Sequence, residues 1–465
     1  MKRFLILVLL LSGCNVGPDY VRPKVETPAA YKEAGEWKPA QPRDAEARGN
    51  WWKMYGDPEL NALIAQVDIS NQTIAAAAAQ VRISAAITDQ SRAQEWPVVT
   101  GTLSRTESKP SSTTGPIIGN VTSKRIIDSL PLGVSWEADL WGRVRRLVES
   151  GEATTQASAA DLVNARLSAQ ATLAQTYFQL RTLDAQKKLL DETVAALEKS
   201  LELTRNRYAV GVAAQADVVA AQAQLLAARA QAVDLGAQRA PLEHAIAVLL
   251  GKPAPSFSIA FAPLAATPPP VPAIGVPAEL LERRPDVAAA ERNMAAANAQ
   301  IGVAKAAFFP TATLGGTYGY QTANPAVWFT KPSLFWSVGP SLALTLFDAG
   351  RRSAVTDQAV ATYDQAVATY RGTVLQAFAD VEDNLAALRI LEQEAAIQAE
   401  AVKAANLSLD LTLNQYKAGI VTYLQVVVAA TAALAAQQSE VVILGRRMAA
   451  SVLLVKALGG GWNPR

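Results

Sequence analysis

Residues 203–212 read LTRNRYAVGV, and residues 411–420 read LTLNQYKAGI. The matching pairs, each 208 residues apart, include Thr204 and Thr412, Asn206 and Asn414, Tyr208 and Tyr416, and Gly211 and Gly419. Two further pairs recur in the same order, LGVSWEADLWGRVRR (132–146) with VGPSLALTLFDAGRR (338–352), and SRAQEWPVVTGTLS (91–104) with VAKAAFFPTATLGG (303–316). Three matches in one order predict two copies of a unit of about 200 residues.

Each copy has a helical spacing of apolar and small residues. The first copy places Leu190, Val194, Leu197, Leu201, Thr204 and Tyr208 at alternating intervals of four and three residues. The second copy continues the pattern with Val402, Ala405, Leu409, Thr412 and Tyr416. This heptad-like spacing predicts long helices that pack in pairs along a seam. Gly211 and Gly419 are expected to end these helices, because glycine readily adopts a left-handed C-cap.

Four short stretches alternate apolar and polar residues, two in each copy. They are PVVTGTLS (97–104), SWEADLW (135–141), PTATLGGTYGYQ (310–321) and SLALTLF (341–347). Such alternation is typical of outer-membrane strands, which are apolar outside and polar inside. An antiparallel sheet over a soluble core would show the same pattern. Loops at 107–124 and 322–333 are expected to join the strands.

Four strands are too few to close a barrel. The smallest closed membrane barrels have about eight strands. An open sheet edge is not viable in lipid, because its backbone groups have no hydrogen-bond partner there. The sequence therefore predicts that several copies of the chain share one barrel with cyclic symmetry. Two, three or more copies would satisfy the count.

The composition excludes several classes of function. The chain of 465 residues has one Cys and one His, so it has no intramolecular disulfide and no His-rich metal site. Lys plus Arg number 43 and Asp plus Glu number 41, so no bulk basic field favours nucleic acid. No phosphate-binding loop or nucleophile–base pair is found, and we expect no enzyme, cofactor or metal site. After Leu11 no unbroken apolar run of 18 residues predicts a membrane-spanning helix.

The N-terminus has the pattern of a lipoprotein signal. Lys2 and Arg3 precede an apolar run that ends in LSGC at residues 11–14. This pattern predicts a signal peptide at 1–13 and an acyl anchor on Cys14, which holds the mature chain to a membrane. Asn15 after the cysteine is compatible with the outer membrane.

These features divide the sequence into six segments. They are the signal 1–13, a lipidated N-terminal segment 14–60, the first repeat 61–251, a Pro-rich connector 252–277, the second repeat 278–461 and a tail 462–465. The composition of the connector predicts extended linker structure.

Several motifs resemble those of a known family. They are CNVGPDYVRP (14–23), WWKMYGDPELNALI (51–64), LLERRPDVAAAERNMAAANAQIGVAKAAFFPTATL (280–314), LFDAGRR (346–352) and VKALGGGW (455–462). The chain resembles the TolC-like outer-membrane efflux proteins, in particular their lipoprotein branch. That branch supplies the outlet channels of tripartite drug-efflux pumps of the RND type.

The resemblance implies a mixed, mainly α fold and a homotrimer. Its twelve-stranded outer-membrane β-barrel would continue into a twelve-helix periplasmic α-barrel. The N-terminal segment, the Pro-rich connector and the C-terminal region would form an equatorial belt around the helices. The implied partners are a periplasmic adaptor protein, an inner-membrane RND-type pump and outer-membrane lipid. The implied function is a passive, gated duct that exports drugs or other small molecules.

The resemblance also implies site residues at the helix turns. The periplasmic gate would contain Leu424, Tyr416, Val428 and Asp217. The tips that meet the adaptor would contain Gly211, Val212, Gly419, Ile420 and Thr422. Val428 stands where family members often carry Asp, so an acidic ring at the gate is expected to be absent.

Alternatives remain for these residues and for the function. Tyr416 and Tyr208 could simply pack in the helix seam, and Asp217 could be a solvated residue favoured by the helix dipole. The chain could also be a structural coiled-coil outer-membrane lipoprotein that does not conduct. Within transport, the cargo could be a metal ion, a dye or a signalling glycan.

Overall fold

The computed structural model describes residues 15–23, 27–28, 32, 50–109, 111, 124–265 and 284–460. The described residues fall into two compact units. A sheet unit takes the described residues of Met1–Lys24, Gln80–Ala159 and Ala289–Arg371, and a helical unit takes those of Val25–Ala79, Ala160–Ala288 and Gly372–Arg465. Each unit therefore draws on both sequence copies. The predicted signal 1–13, Cys14, residues 266–277 of the connector and the tail 462–465 lie outside the described residues.

One antiparallel sheet forms in the sheet unit. Its strands are β1 (Val98–Gly101), β2 (Ser104–Ser108), β3 (Arg125–Ala138), β4 (Thr311–Thr322) and β5 (Leu334–Ala343). β1 and β2 pair with different stretches of β3, so they are two parts of one interrupted strand. β3 then pairs with β4, and β4 pairs with β5. The prediction of four strands, two from each copy, is confirmed.

The strand boundaries differ from the predicted ones. β3 begins at Arg125, well before the predicted Ser135, and β5 ends at Ala343, so Leu344 and Leu346 lie outside it. The reason is the length of the neighbouring strand. Ala343 pairs with Thr311, the first residue of β4, so the residues after Ala343 have no β4 residue opposite them. Alternation alone does not reveal where a partner strand stops.

The register gives the sheet two different faces. Residues directly opposite one another share a face. One face carries Val99, Leu132, Val134, Trp136, Leu314, Tyr318, Trp336, Val338 and Leu342. The other face is mostly small or polar and carries Thr100, Gly133, Ser135, Glu137, Thr313, Thr317, Ser337 and Ser341. Most of the apolar side chains on this face are exposed, so none of the described residues of the chain covers them.

Four long helices form two pairs, and the second pair repeats the first 208 residues later in the sequence. They are α3 (Arg143–Ala209), α4 (Gln215–Leu249), α6 (Arg351–Lys417) and α7 (Tyr423–Ala457). α3 and α6 each have 67 residues, and α4 and α7 each have 35. Their ends coincide after a shift of 208 residues, so the two copies fold alike along these helices.

Three shorter helices complete the described fold. They are α1 (Pro58–Ser70), α2 (Gln72–Ala93) and α5 (Pro285–Ala306). Asp57 caps the start of α1, and its carboxylate accepts from the backbone N–H of Glu59 at 2.9 Å and of Leu60 at 3.0 Å. Proline fits the first helical position because it needs no N–H donor there.

The main core lies in the helical unit. It contains Trp51, Leu60, Ile64, Leu173, Tyr177, Ile246, Leu250 and Val452, which are all buried. Each fully buried large side chain stabilises the fold by about 1.5–3 kcal/mol. α1 is therefore held by its apolar face against α3, α4 and α7.

The described part of the connector is pinned by buried charges. Arg181 Nη1 donates to the carbonyl of Ala260 at 2.6 Å, and Asp184 accepts from the N–H of Ala262 at 3.1 Å. Arg239 also donates to Asp184 at 2.8 Å. A fully buried carboxylate such as that of Asp184 requires charged and hydrogen-bonded partners. Residues 260–262 of the connector are thus fixed against α3.

The N-terminal residues 15–23 pack on helices of both copies. The N–H of Val16 donates to the carbonyl of Trp141 at 3.2 Å, just before α3. The side-chain amide of Asn298, on α5, donates to the carbonyl of Pro18 at 3.0 Å. The residues that follow Cys14 therefore have a fixed place in the sheet unit.

Among the described helices, α7 is long and apolar enough to cross a bilayer by length and composition, with a mean hydropathy of 1.6 in its most apolar window. The sequence prediction rested on an unbroken apolar run, which α7 lacks, because uncharged polar residues interrupt its alanines, valines and leucines. That no membrane-spanning helix follows Leu11 therefore stays a prediction. Core helices meet the same criterion, so this finding alone assigns no membrane span.

Candidate functional site: the two helix turns

The turn between α6 and α7 is built on glycine. Gly419 has φ 75°, and its N–H donates to the carbonyl of Tyr416 at 3.0 Å. The N–H of Ile420 donates to the carbonyl of Gln415 at 2.9 Å. These bonds form a Schellman ending, which satisfies the last carbonyls of α6. Any other residue would pay about 1–2 kcal/mol for this left-handed backbone.

The turn between α3 and α4 has the same geometry. Gly211 has φ 76°, and the N–H of Val212 donates to the carbonyl of Arg207 at 2.9 Å. Val210 and Val212 at this turn and Ile420 at the other are exposed. The residues predicted to meet an adaptor are therefore accessible at the turns, and their role stays a prediction.

The helices that leave the turns begin differently. At the start of α4, the N–H of Ala214 donates to the carboxylate of Asp217 at 3.4 Å. Asp217 thus caps the helix from its first turn, where the helix dipole favours a negative charge. Thr422 occupies the N-cap of α7 but makes no side-chain cap hydrogen bond.

Tyr416 and Tyr423 form the buried centre of the site. Their rings lie 5.4 Å apart, edge to face, and Tyr416 is only 3% exposed. The Tyr416 hydroxyl donates to Thr204 Oγ1 at 3.5 Å, and the Tyr423 hydroxyl lies 3.1 Å from Ser200 Oγ. The guanidinium of Arg207 lies 4.8 Å from the centre of the Tyr416 ring. We call these five residues the aromatic latch.

The aromatic latch joins the two sequence copies. Arg207 comes from α3 of the first copy and also donates from Nη1 to the carbonyl of Lys417 at 3.0 Å. A cation over an aromatic ring contributes about 0.5–2 kcal/mol, depending on its exposure. The second turn is therefore attached to the first through rings, hydroxyls and one cation.

Burial raises the pKa of the Tyr423 phenol above its ordinary value. The neighbouring Tyr416 and Asp217 raise this pKa further, and the hydrogen bond with Ser200 lowers it. The latch therefore holds Tyr423 in its neutral form.

Leu424 and Val428 occupy the other side of α7. They are four residues apart, so they share one face of the helix. Leu424 is 66% exposed and Val428 is 63% exposed, whereas Tyr423 and Val426 are buried. Of the four predicted gate residues, Tyr416 is therefore buried, and Leu424 and Val428 form an exposed apolar pair. Asp217 lies at the start of α4 and belongs to neither.

Sequence reasoning missed Arg207, Ser200, Thr204 and Tyr423 as site residues. A usable signal was present in the differences between the copies. Arg207 aligns with Gln415, and Tyr423 aligns with Gln215, at the same spacing of 208 residues. Both differences fall on the residues through which the copies contact each other.

Within the ranges that the structure describes, no group of three or more His, Cys, Asp or Glu side chains could hold a metal ion. The site is made of apolar, aromatic and hydroxyl groups together with the guanidinium of Arg207. Such groups can hold helices together and can exclude water.

Comparison with known proteins identifies relatives along the whole chain. A sequence model described as outer membrane efflux protein matches residues 63–252 and 276–460. The pyoverdine export outer membrane protein OpmQ of Pseudomonas aeruginosa is 31% identical, over 98% of this chain and 95% of that protein. The toluene efflux pump outer membrane protein TtgC of Pseudomonas putida is also 31% identical, over 98% of this chain and 94% of that protein.

Solved structures give the same result. The outer-membrane channel OprN is 30% identical, with a TM-score of 0.89 over 97% of this chain and 100% of that chain. The outer membrane protein VceC of Vibrio cholerae is 28% identical, with a TM-score of 0.82 over 89% of this chain and 99% of that chain. The CmeC outer membrane channel of Campylobacter jejuni has a TM-score of 0.90 over 97% of this chain and 95% of that chain, and its 21% identity supports the fold alone.

Proposed function

This chain belongs to the outer membrane efflux protein family, and on that premise we propose that it forms the outlet channel of a tripartite efflux system. Its mainly helical fold is that of outer-membrane channels. In this role the chain is a passive duct. The energy for transport comes from an inner-membrane pump, so the chain itself needs no catalytic site.

The two-faced sheet is the observation that carries the proposal. Its apolar face is exposed, and within the described residues each edge strand, β1 with β2 at one side and β5 at the other, pairs on one side only. An unpaired edge is not viable in lipid. Three copies would supply about twelve strands, enough for a closed barrel with its apolar face toward lipid and its polar face toward the lumen.

We place the gate at Leu424 and Val428. Both side chains are apolar and exposed at the start of α7, close to the second turn. A ring of such side chains from three copies would close the duct by excluding water, as hydrophobic constrictions do. Because neither position carries a carboxylate, the closed gate would have little preference for cations.

The aromatic latch sets how readily the gate opens. Moving α6 and α7 away from α3 would break the contacts of Tyr416 with Arg207 and of Tyr423 with Ser200. The two rings are also buried, so their separation would expose apolar surface to water. The latch therefore favours the closed arrangement.

The partners proposed are a periplasmic adaptor and an RND-type inner-membrane pump. The adaptor would contact the tips at Gly211, Val212, Gly419, Ile420 and Thr422. Relatives are named for export of pyoverdine and toluene, and we propose small molecules as the cargo class of this chain. A wide duct need not recognise its cargo, so the pump would select it.

The acyl anchor is proposed at Cys14. The sequence pattern LSGC supports it, and residues 15–23 lead directly from Cys14 to the end of β3 and the start of α3. The anchor would then sit beside the barrel at the periplasmic surface of the outer membrane. It would assist insertion, while the barrel itself holds the chain in the membrane.

The first test is the mass of the detergent-solubilised protein by light scattering, together with conductance in planar bilayers. We expect a mass near three chains and a conducting pore. A stable single-chain mass in several mild detergents, with no conductance, would instead support a structural coiled-coil lipoprotein.

A matched pair of variants tests which face of the sheet meets lipid. Val338 and Ser337 are neighbours on β5 but lie on opposite faces. An Arg or Lys on the lipid face costs about 2–4 kcal/mol near the bilayer midplane, and an Asp costs less but is still unfavourable. Val338→Asp should therefore reduce trimer yield strongly, and Ser337→Asp should leave it nearly unchanged. Equal yields would contradict the proposed orientation.

A further inference from the structure

A groove runs between α3 and the α6–α7 pair in the helical unit. Its volume is about 390 Å³, within the usual range for small-molecule pockets. Its apolar lining includes Leu189, Leu197, Leu409, Leu413, Val426 and Val427. Burial of a ligand's apolar surface against these side chains would favour binding.

The groove has polar groups at defined places. The hydroxyls of Ser200 and Tyr423 lie 3.1 Å apart at one position, and Gln224 donates to Thr431 at 3.2 Å nearby on α7. Such a mixture, mostly apolar with a few polar groups, is typical of ligand sites rather than of a helix seam alone.

The charged residues that line the groove are all acidic. Glu192 on α3 and Asp410 on α6 contribute carboxylates to its lining, and no Lys, Arg or His does. Among the described residues neither carboxylate takes part in an ion pair with the protein, unlike the carboxylate of Asp191 beside them, which pairs with Lys187 at 2.6 Å. A positive ligand would be attracted to both helices at once, and an anion would be repelled.

We propose that this groove binds an amphipathic organic cation. The apolar part of the ligand lies against the leucines and valines, and its positive group lies toward Glu192 and Asp410. The proposal concerns a site on the wall of the helical unit, separate from the exposed faces of Leu424 and Val428.

Such a ligand acts on the gate through α7. Val426 and Val427 line the groove and lie between Leu424 and Val428 in the sequence. The groove exists only while α6 and α7 are packed against α3. A ligand that contacts all three helices binds this packed arrangement more tightly than the separated one, and it stabilises the packed arrangement by that difference in affinity. This effect on opening rests on the proposed function, whereas the binding itself does not.

The test uses two probes of nearly equal shape and opposite charge, tetraphenylphosphonium and tetraphenylborate. Binding to the purified full-length protein in lipid nanodiscs is measured by calorimetry, with empty nanodiscs as the blank. We expect saturable binding of tetraphenylphosphonium and weaker binding of tetraphenylborate. Equal affinities for the two ions, or no saturable binding of the cation, would overturn the proposal.

The variants assign the binding to this groove. Glu192→Gln combined with Asp410→Asn should weaken tetraphenylphosphonium binding about fivefold, the size expected for two partly exposed ion pairs. Glu202→Gln, an exposed carboxylate of α3 outside the groove lining, should leave binding unchanged and serves as the control. Unchanged affinity in the double variant would exclude this site.

Filling the groove gives an independent check. Ala196→Phe should abolish binding of the cation, while circular dichroism and the mass of the assembly show that the protein remains folded. Retained binding in a folded Ala196→Phe protein would overturn the proposal.

Binding and conductance together separate this proposal from the proposed channel function. A protein that binds the cation but does not conduct would refute the channel function and leave this site standing. A protein that conducts but does not bind the cation would refute this site and leave the channel function standing.

Discussion

The two helix turns share a backbone and differ in their side chains. Gly211 and Gly419 have φ values of 76° and 75°, and the helices on each side have equal lengths in the two copies. Yet Tyr208 is 47% exposed, and its counterpart Tyr416 is 3% exposed. The repeat therefore determines where the chain turns, and side-chain differences determine what each turn does.

The differences concentrate after the glycine. At the spacing of 208 residues, Gln215, Ala216 and Ala220 of the first copy align with Tyr423, Leu424 and Val428 of the second. The second copy thus has larger and more apolar side chains at all three positions. This contrast explains why the proposed gate belongs to one turn only, and the following variants test it in matched pairs.

The largest difference is expected between Tyr416→Ala and Tyr208→Ala. Truncation of a buried aromatic side chain costs about 3–5 kcal/mol, whereas a half-exposed one costs about 1 kcal/mol or less. Hydrogen exchange should therefore accelerate around the second turn in Tyr416→Ala and change little in Tyr208→Ala. The Tyr416 variant should also leak more current in a bilayer. If hydrogen exchange is similar in both variants, Tyr416 stabilises its turn no more than Tyr208 does, and the aromatic latch is contradicted.

The next difference concerns the constriction. Leu424→Ser replaces the apolar side chains of the constriction, one from each copy, with hydroxyls that water wets more easily. The conductance of the closed channel should therefore rise several-fold. Ala216→Ser, at the equivalent position of the first turn, should leave the conductance as it is. If the first-turn variant leaks as much as Leu424→Ser, the gate is formed by both turns.

Ion selectivity sharpens the comparison further. Val428→Asp would place a carboxylate from each copy near the constriction, so cations should be preferred and multivalent cations should block. Ala220→Asp should produce neither effect. Reversal potentials in asymmetric salt measure the selectivity, and unchanged values in Val428→Asp would mean that this side chain faces away from the duct.

The glycines should respond alike. Gly211→Ala and Gly419→Ala both place a Cβ on a left-handed backbone, at a cost of about 1–2 kcal/mol each. No neighbouring atom closer than 3.9 Å would meet the added Cβ at either position. The two variants should lose equal amounts of stability, measured by thermal unfolding. A clearly larger loss of stability in Gly419→Ala would mean that the two turns differ in backbone conformation.

The smallest effect is a pH dependence confined to the second turn. The raised pKa of Tyr423 stabilises the latch below the ordinary tyrosine pKa of about 10, and this stabilisation is lost as the pH rises through the folded value. Hydrogen exchange at the second turn should accelerate at high pH in the natural protein. Tyr423→Phe should lose that dependence while keeping the ring contact with Tyr416.

Much of the fold follows from local patterns in the sequence. The period of three and four residues and the glycines at 211 and 419 predict both long helices and their turns, because helix ends depend on nearby residues. The ends of β3 and β5 were not predictable in the same way. A strand ends where its neighbour ends, and the residue opposite Ala343 is Thr311, which is remote in sequence.

The site was predictable only in part. Leu424 and Val428 lie at exposed positions one turn apart, and their role in a gate stays a prediction. The absence of a carboxylate at Val428 can be seen in the sequence. The seam position of Tyr416 left packing and gating as alternatives, and the structure shows the ring buried. Its contact with Arg207 depends on how the two copies pair, which the spacing within either copy does not reveal.

The packing of residues 15–23 constrains the order in which the protein matures. Those residues contact Trp141 of the first copy and Asn298 of the second. Synthesis proceeds from the N-terminus, so Pro18 is made 280 residues before its second-copy partner Asn298. This segment therefore reaches its final position late, and until then it must remain available without misfolding.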